Sequence, residues 1–367
     1  MVPYYLLLLI PFLVGVFVQA IFNHGRVNII NNRNDHKSPI VMVFFIYLIL
    51  LLMFRGRTVG LDLPNYQYMF YKYSGDTLSS LLKADVDILY KVLNWIIGRF
   101  TSQFQWIMII AAILAVTPIF MLYNEDKRNG YLKISLFVNT AIFMILFSAL
   151  RQAIAIGMGV WAYYFVRQKK LIPFFIVVIV ANLFHHSAFV LVFMYPLYHL
   201  RLNSKHLWII IPVFLATYLL REVLFLAAAD FMTGFYDKYE TAVSDTGALS
   251  TFLLYIAFSV YSYVIPNEKK MTEELIGLRN YLLVAAILQS FAGINSLAMR
   301  MNYYFIVFIP YTMCKLVEIP KKSFKRVALI SKCVMCVFFT WYFISTIRDA
   351  CYTKDLLGIV PYMSMWR

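Results

Sequence analysis

Arginine, histidine, aspartate and tyrosine recur in this chain in four short clusters set against otherwise apolar sequence. Arg57, Gly60, Asp62 and Tyr66 form R-x-x-G-x-D-x-x-x-Y. Arg151-Gln152 is flanked by the small residues Ala149 and Ala153, His185-His186-Ser187 closes an apolar stretch, and Arg300 precedes Tyr303-Tyr304. A guanidinium presents a planar fork of donors that matches phosphate oxygens, so arginines converging on one place could hold a diphosphate. A histidine takes up a proton near neutral pH, and a carboxylate in a poorly solvated pocket does the same, so His186 or Asp62 could accept a proton from an attacking hydroxyl. His185 could share that role or cap a helix turn. The aromatic run Tyr66, Tyr68, Phe70, Tyr71 and Tyr73 could stack on sugar rings, although tyrosines also line membrane interfaces without a ligand. Each arginine equally could snorkel to an interface or pair with a carboxylate such as Asp62 or Asp87, and Asp62 could cap a helix opening at Pro64.

Two apolar stretches, 154–166 and 171–184, separate Arg151 from His186, with Arg167 to Lys170 between them. If each stretch crosses a bilayer, Arg151 and His186 face one surface and the basic turn faces the other. Composition requires such a setting. Of the 367 residues 62% are hydrophobic and 14% charged, where a soluble domain would carry about a quarter charged. A soluble globular protein is excluded. The apolar runs are continuous rather than alternating, which points to helices and not to outer-membrane strands. The expectation is one all-α polytopic integral membrane domain over residues 1–367. Twelve spans are predicted, at 3–22, 39–54, 105–123, 134–150, 152–166, 171–184, 187–200, 207–228, 249–265, 280–296, 301–317 and 328–346. Residues 171–200 are divided because one helix of that length would reach about 45 Å across a core of about 30 Å. Residues 86–98 are predicted to form a short interfacial or re-entrant helix. More than half of the lysines and arginines then lie in alternate short loops, while most acids, including Asp62, Asp85, Asp87, Asp230, Asp237, Glu240 and Asp245, lie in the opposite loops. Under the positive-inside rule the acidic side, with loops 55–104 and 229–248, is outside. The net charge of +15 is thus read as topology and lipid contact, not as nucleic-acid binding. The first apolar run lacks a basic leader and a small-residue cleavage site, so it is expected to be retained.

Phosphate-binding glycine loops, G-x-S-x-G and H-E-x-x-H are all absent from the sequence, so no nucleotide or zinc chemistry is expected. Cys333 and Cys336 form a C-x-x-C inside an apolar run without a second pair, and are read as packing residues.

In this order the clusters resemble the EpsG-like branch of the Wzy-type O-antigen and exopolysaccharide polymerases. The resemblance rests on Arg57, Gly60, Asp62 and Tyr66, on Ala149-Leu150-Arg151-Gln152, on Phe184-His185-His186-Ser187, and on Arg300 with Tyr303-Tyr304; where that family often has Glu-Pro-Gly-Phe, this chain has Asp85-Val86-Asp87. It implies a bacterial cytoplasmic-membrane enzyme that joins undecaprenyl-diphosphate-linked oligosaccharide repeats at the outer surface, with no metal or other cofactor. It implies His186, Asp62 and Arg151 as catalytic residues, and Arg57, Tyr66, Arg151, Gln152, His185, Arg300, Tyr303 and Tyr304 as substrate-binding residues. The implied partners are the lipid-linked glycan, the bilayer, and a chain-length regulator and flippase of the same pathway. Two other classes compete. A multi-spanning glycosyltransferase or ligase would use a polyprenyl-linked donor, with Asp85 and Asp87 as a metal-binding D-x-D, and a lipid-linked oligosaccharide flippase would spread its charges along a path through the membrane.

Overall fold

A computed structural model describes residues 1–24, 38–77, 87–231, 245–352 and 358–366. Asp85 and residues 232–244, with Asp237 and Glu240, lie outside the described residues. Those described are helical or irregular, with two isolated bridges, Arg55 to Ser364 and Pro266 to Pro320, and no strand. Among the described residues Gln105–Tyr123 and Lys322–Asp349 are each long and apolar enough to cross a membrane, and the number rises to four if each of two bent pairs is one span. Shorter apolar helices, such as Pro39–Met53 and Leu171–Phe184, accompany them. Large apolar side chains stand on helix exteriors, among them Ile172 (75% exposed), Trp208 (74%) and Val337 (71%). Such a surface suits lipid and would be costly in water.

The chain divides into two compact units: residues 1–165, 171–189 and 332–367, and residues 166–170 with 190–331. In the first unit, Phe44, Phe45, Tyr123 and Phe137 meet at centroid separations of 5.0–5.9 Å, edge-on except for the tilted pair Phe45 and Phe137, and edge-on contact is what ring quadrupoles favour. A second cluster joins Tyr4, Phe143, Phe147 and Phe343. Gly157 lets the helix Leu150–Arg167 approach Gln105–Tyr123, because a Cβ there would lie 2.6 Å from the Leu114 carbonyl oxygen. Small residues at such crossings are how helices pack where water supplies no drive.

The predicted span 134–150 is two helices, Gly130–Phe137 and Ala141–Ser148, bent by 61°. Polar side chains cause the break. The Thr140 hydroxyl donates to the Phe137 carbonyl (2.7 Å) and Asn139 Nδ2 to those of Ser135 and Phe339 (both 2.7 Å), which gives freed backbone groups partners. A further break at Ala149 starts the helix that carries Arg151. The division predicted within 171–200 is present: Leu171–Phe184 ends, His185 is non-helical, and a 3₁₀ run covers His186–Phe193.

Residues 358–366 return to brace the loop after Pro39–Met53. The Gly56 N–H donates to the Met363 carbonyl (2.6 Å), Gly60 to Gly358 (2.7 Å) and Met365 to Phe54 (2.9 Å). Gly60 has φ +132°, and a Cβ there would run into the Phe147 carbonyl, so this turn needs glycine. Arg55 is buried beneath it, donating to the Leu146 carbonyl (3.1 Å) and lying over the Phe147 ring.

In the second unit the helix Glu273–Gln289 is central. Tyr281 is buried against Tyr198, Phe305 and Phe308 and donates to the Met194 carbonyl (2.9 Å). Arg279, with no side-chain exposure, binds Glu268 (2.6 Å) and the Leu202 carbonyl (2.6 Å).

Candidate active site

The loop braced by residues 358–366 leads into the helix Leu63–Gly75. Pro64 occupies the first turn and Asp62 the N-cap position, as predicted, but the Asp62 side chain makes no capping bond and is exposed. Arg57 is also exposed. The helix turns Tyr66 inward, with its ring edge-on to Tyr90 at 5.5 Å, while Tyr68 and Tyr71 face outward. Of the tyrosines proposed to stack on a sugar, the outward pair is accessible and Tyr66 is committed to the interior.

Arg151, in the first turn of Leu150–Arg167, reaches into this place. Its Nη1 forms a short ion pair with Asp87 Oδ2, its Nε faces the Tyr66 hydroxyl at 3.5 Å, and its guanidinium lies 5.6 Å from the Tyr66 ring centroid. Asp87 is 3% exposed in its side chain and Arg151 24%. Asp87 sits at the N-cap of Ile88–Gly98 with φ +55°, a left-handed conformation that aspartate tolerates better than most residues. His185 Nδ1 stands 4.0 Å from the same Asp87 oxygen, longer than a hydrogen bond and an ion pair only when the imidazole is protonated. Burial pushes the Asp87 carboxyl up, but His185 and Arg151 outweigh it, and the net direction is down. Asp87 is therefore an ionised anchor for cations and a poor proton acceptor. Next to it, Gln152 Nε2 donates to the Ser187 hydroxyl at 3.5 Å, both residues being buried. His186 is half-buried one position beyond His185.

Tyr66, Arg151, Gln152 and His185 thus belong to one neighbourhood within the first unit, with His186 adjacent to it in sequence. Arg300, Tyr303 and Tyr304 belong to the second unit, in Ser296–Ile306. There Tyr303 and Tyr304 are buried, Arg300 is half-buried, and Asn302 Nδ2 donates to the Ala285 carbonyl (3.0 Å) and to Gln289 (3.1 Å). The sequence offers Asp87 as a carboxylate that an arginine could meet and as half of a D-x-D with Asp85. Nothing local says that it meets Arg151, 64 positions away.

Chemically the cluster offers a guanidinium at a helix N-terminus, where backbone N–H groups add positive potential, beside a histidine. Among the described residues Asp87 is paired with the Arg151 guanidinium, a positive neighbour poorly suited to a carboxylate that shares a divalent metal with a second acid.

No curated protein and no solved structure matches the chain. The sequence profile of the EpsG family matches residues 40–364, which include each clustered residue and the bracing segment up to Ser364. The chain belongs to the EpsG family.

Proposed function

We propose that the protein is a polysaccharide polymerase that joins undecaprenyl-diphosphate-linked oligosaccharide repeats of an O-antigen, capsule or exopolysaccharide. It would act at the outer face of a bacterial cytoplasmic membrane. The observation that carries this reading is Arg151: an arginine whose side chain is about one quarter exposed, in a helix's first turn, paired with Asp87 and flanked by Tyr66 and His185. The proposed twelve crossings, with the helix Ile88–Gly98 lying in the outer interface, would put this cluster and the exposed loop of Arg57 and Asp62 on the acidic, outward side.

In the proposed step the hydroxyl of the incoming repeat attacks the anomeric carbon of the growing chain. The carbon–oxygen bond to the lipid diphosphate breaks, and its electron pair leaves with the diphosphate. A new glycosidic bond forms, and the hydroxyl proton passes to a base. Arg151, with Arg57 and Arg300 as further candidates, would stabilise the charge building on the departing diphosphate. His186 or Asp62 would take the proton, while Asp87 is disfavoured because its proton affinity is lowered. His185, Gln152, Tyr66, Tyr303 and Tyr304 are assigned to binding and orientation. A chain-length regulator and a flippase of the same pathway are the expected partners.

The test is the glycan size profile and the lipid-linked intermediates of cells lacking the gene, and of cells carrying Arg151→Ala at normal abundance. Loss of long chains, with complete single repeats still reaching the outer face, is the expected result. Repeats trapped on the inner leaflet would identify a flippase, and an incomplete repeat would identify a sugar transferase. The positive surroundings of Asp87 favour the polymerase over a metal-dependent transferase, whose activity would require Mg²⁺ or Mn²⁺.

A further inference from the structure

Asp87 has a role that the proposed chemistry does not use. It is buried, its Oδ2 carries both Arg151 and the nearby His185, and its Oδ1 has no hydrogen-bond partner among the described residues. A carboxylate kept only to stiffen the fold would ordinarily have both oxygens satisfied. The pair is also asymmetric in access, with Arg151 24% exposed and Asp87 3%. An anion arriving from solvent can therefore touch the arginine without touching the aspartate.

We infer that Asp87 is an exchangeable counter-ion: it holds Arg151 in the empty site, yields it to the arriving lipid diphosphate, and reclaims it when the spent diphosphate must leave. This rests on the polymerase reading and concerns how that same site turns over. Asp87 touches no reacting atom and is a positioning residue acting through Arg151. The physical reason for such a device is that a diphosphate and an arginine fork match well. Were Arg151 left unpaired, product would compete with each new donor for the same group. An internal anion lowers the net affinity equally for donor and product, which shortens the time the product occupies the site. Tyr66 serves the exchange by keeping the guanidinium plane in place while its partner changes, through its hydroxyl at 3.5 Å and its ring at 5.6 Å.

This account predicts the opposite sign from a structural role. Neutralising Asp87 should tighten diphosphate binding, whereas losing a mere support for Arg151 should weaken it. The experiment measures the Kd and release rate of undecaprenyl diphosphate on the full-length protein in nanodiscs, for wild type, Asp87→Asn, Asp87→Ser, Asp87→Glu, Arg151→Ala and Asp87→Asn/Arg151→Ala. Thermal unfolding identifies which variants are folded. Asp87→Asn should bind about five- to tenfold more tightly than wild type and release more slowly, while glycan chains in cells carrying it become shorter. Asp87→Ser should move in the same direction, so the test survives if one neutral variant fails to fold, and Asp87→Glu should return both quantities toward wild type. The double variant should bind no better than Arg151→Ala, because the gain acts through that arginine. Wild-type binding that a folded Asp87→Asn or Asp87→Ser protein leaves unchanged or weakens overturns the exchange and leaves the polymerase reading standing. Absence of binding by wild type overturns both.

Discussion

Arg151 differs from a simple positive charge in two respects, its fork of donors and its approach to the hydroxyl and ring of Tyr66. Lysine keeps the charge and loses both. Arg151→Lys at normal abundance should therefore lower polymerisation about ten- to a hundredfold, measured as repeats added per lipid-linked chain, the size expected for losing one charge-assisted hydrogen bond. Full activity in Arg151→Lys would remove the phosphate role from this residue. Asp87 gives a second prediction at this scale. Its carboxyl is held below the ordinary range in the folded protein, so folding favours the deprotonated form. The stability it contributes is present above the unfolded carboxyl value of about 4 and is lost as pH falls through the lower folded value. Thermal unfolding of the purified protein should show a decline in wild type between about pH 5 and pH 3 that is smaller in Asp87→Asn. Equal declines would mean that Asp87 carries no such linkage.

At the scale of elements, the site depends on a segment remote from it in sequence. Residues 358–366 supply carbonyl acceptors to Gly56 and Gly60 and a donor to Phe54, Tyr362 donates to the Leu51 carbonyl (3.0 Å), and Tyr4 donates to the Ile359 carbonyl. Deleting residues 358–367 would expose three backbone groups of the loop bearing Arg57 and Asp62, each costing about 1 kcal/mol or more if left unpaired. Activity should be lost while the protein still inserts, and a protease added outside should cut first in residues 54–61. Unchanged activity would show that the brace is dispensable. None of this is legible in the sequence, because an irregular segment with no periodicity carries no mark of its distant partner. The same limit hides the burial of Arg55 and the pairing of Asp87 with Arg151. What local chemistry does encode is legible in the sequence: a helix opening at Pro64, a helix over 105–123, a short one ending at Gly98, and the division at His185. The bend in 130–148 was missed because continuous hydropathy outweighed Asn139 and Thr140, whose side chains serve backbone carbonyls there.

At the scale of the whole molecule, the proposed twelve crossings make a prediction that one native cysteine can test. Cys351 is exposed just after the long helix ending at Asp349. With an even number of crossings and an outward first residue, Cys351 shares the outer side with the loop of Arg57 and Asp62, and Lys170 lies on the other. In a background of Cys314→Ser, Cys333→Ser and Cys336→Ser, a membrane-impermeant maleimide should label Cys351 in intact cells. With Cys351 also replaced, Thr58→Cys should be labelled in intact cells and Lys170→Cys only after permeabilisation. The informative failure is a particular one. If Thr58→Cys and Lys170→Cys are both labelled from outside while Cys351 is protected, then the helix Ile88–Gly98 crosses the membrane and every later loop is inverted. That inversion would place the basic turns at Lys127-Arg128 and Arg167 to Lys170 outside, against the electrostatic preference that orients membrane helices. It would also move Arg151 to the inner face, away from any outer-leaflet substrate. The eleven residues of Ile88–Gly98 would reach only about 16 Å against a core of about 30 Å, and two of its members, Lys91 and Asn94, are buried within the protein. Both facts favour a helix that rests in the interface with its polar side turned to the protein, which is what the proposed outward position of Arg151, Asp87 and His185 requires.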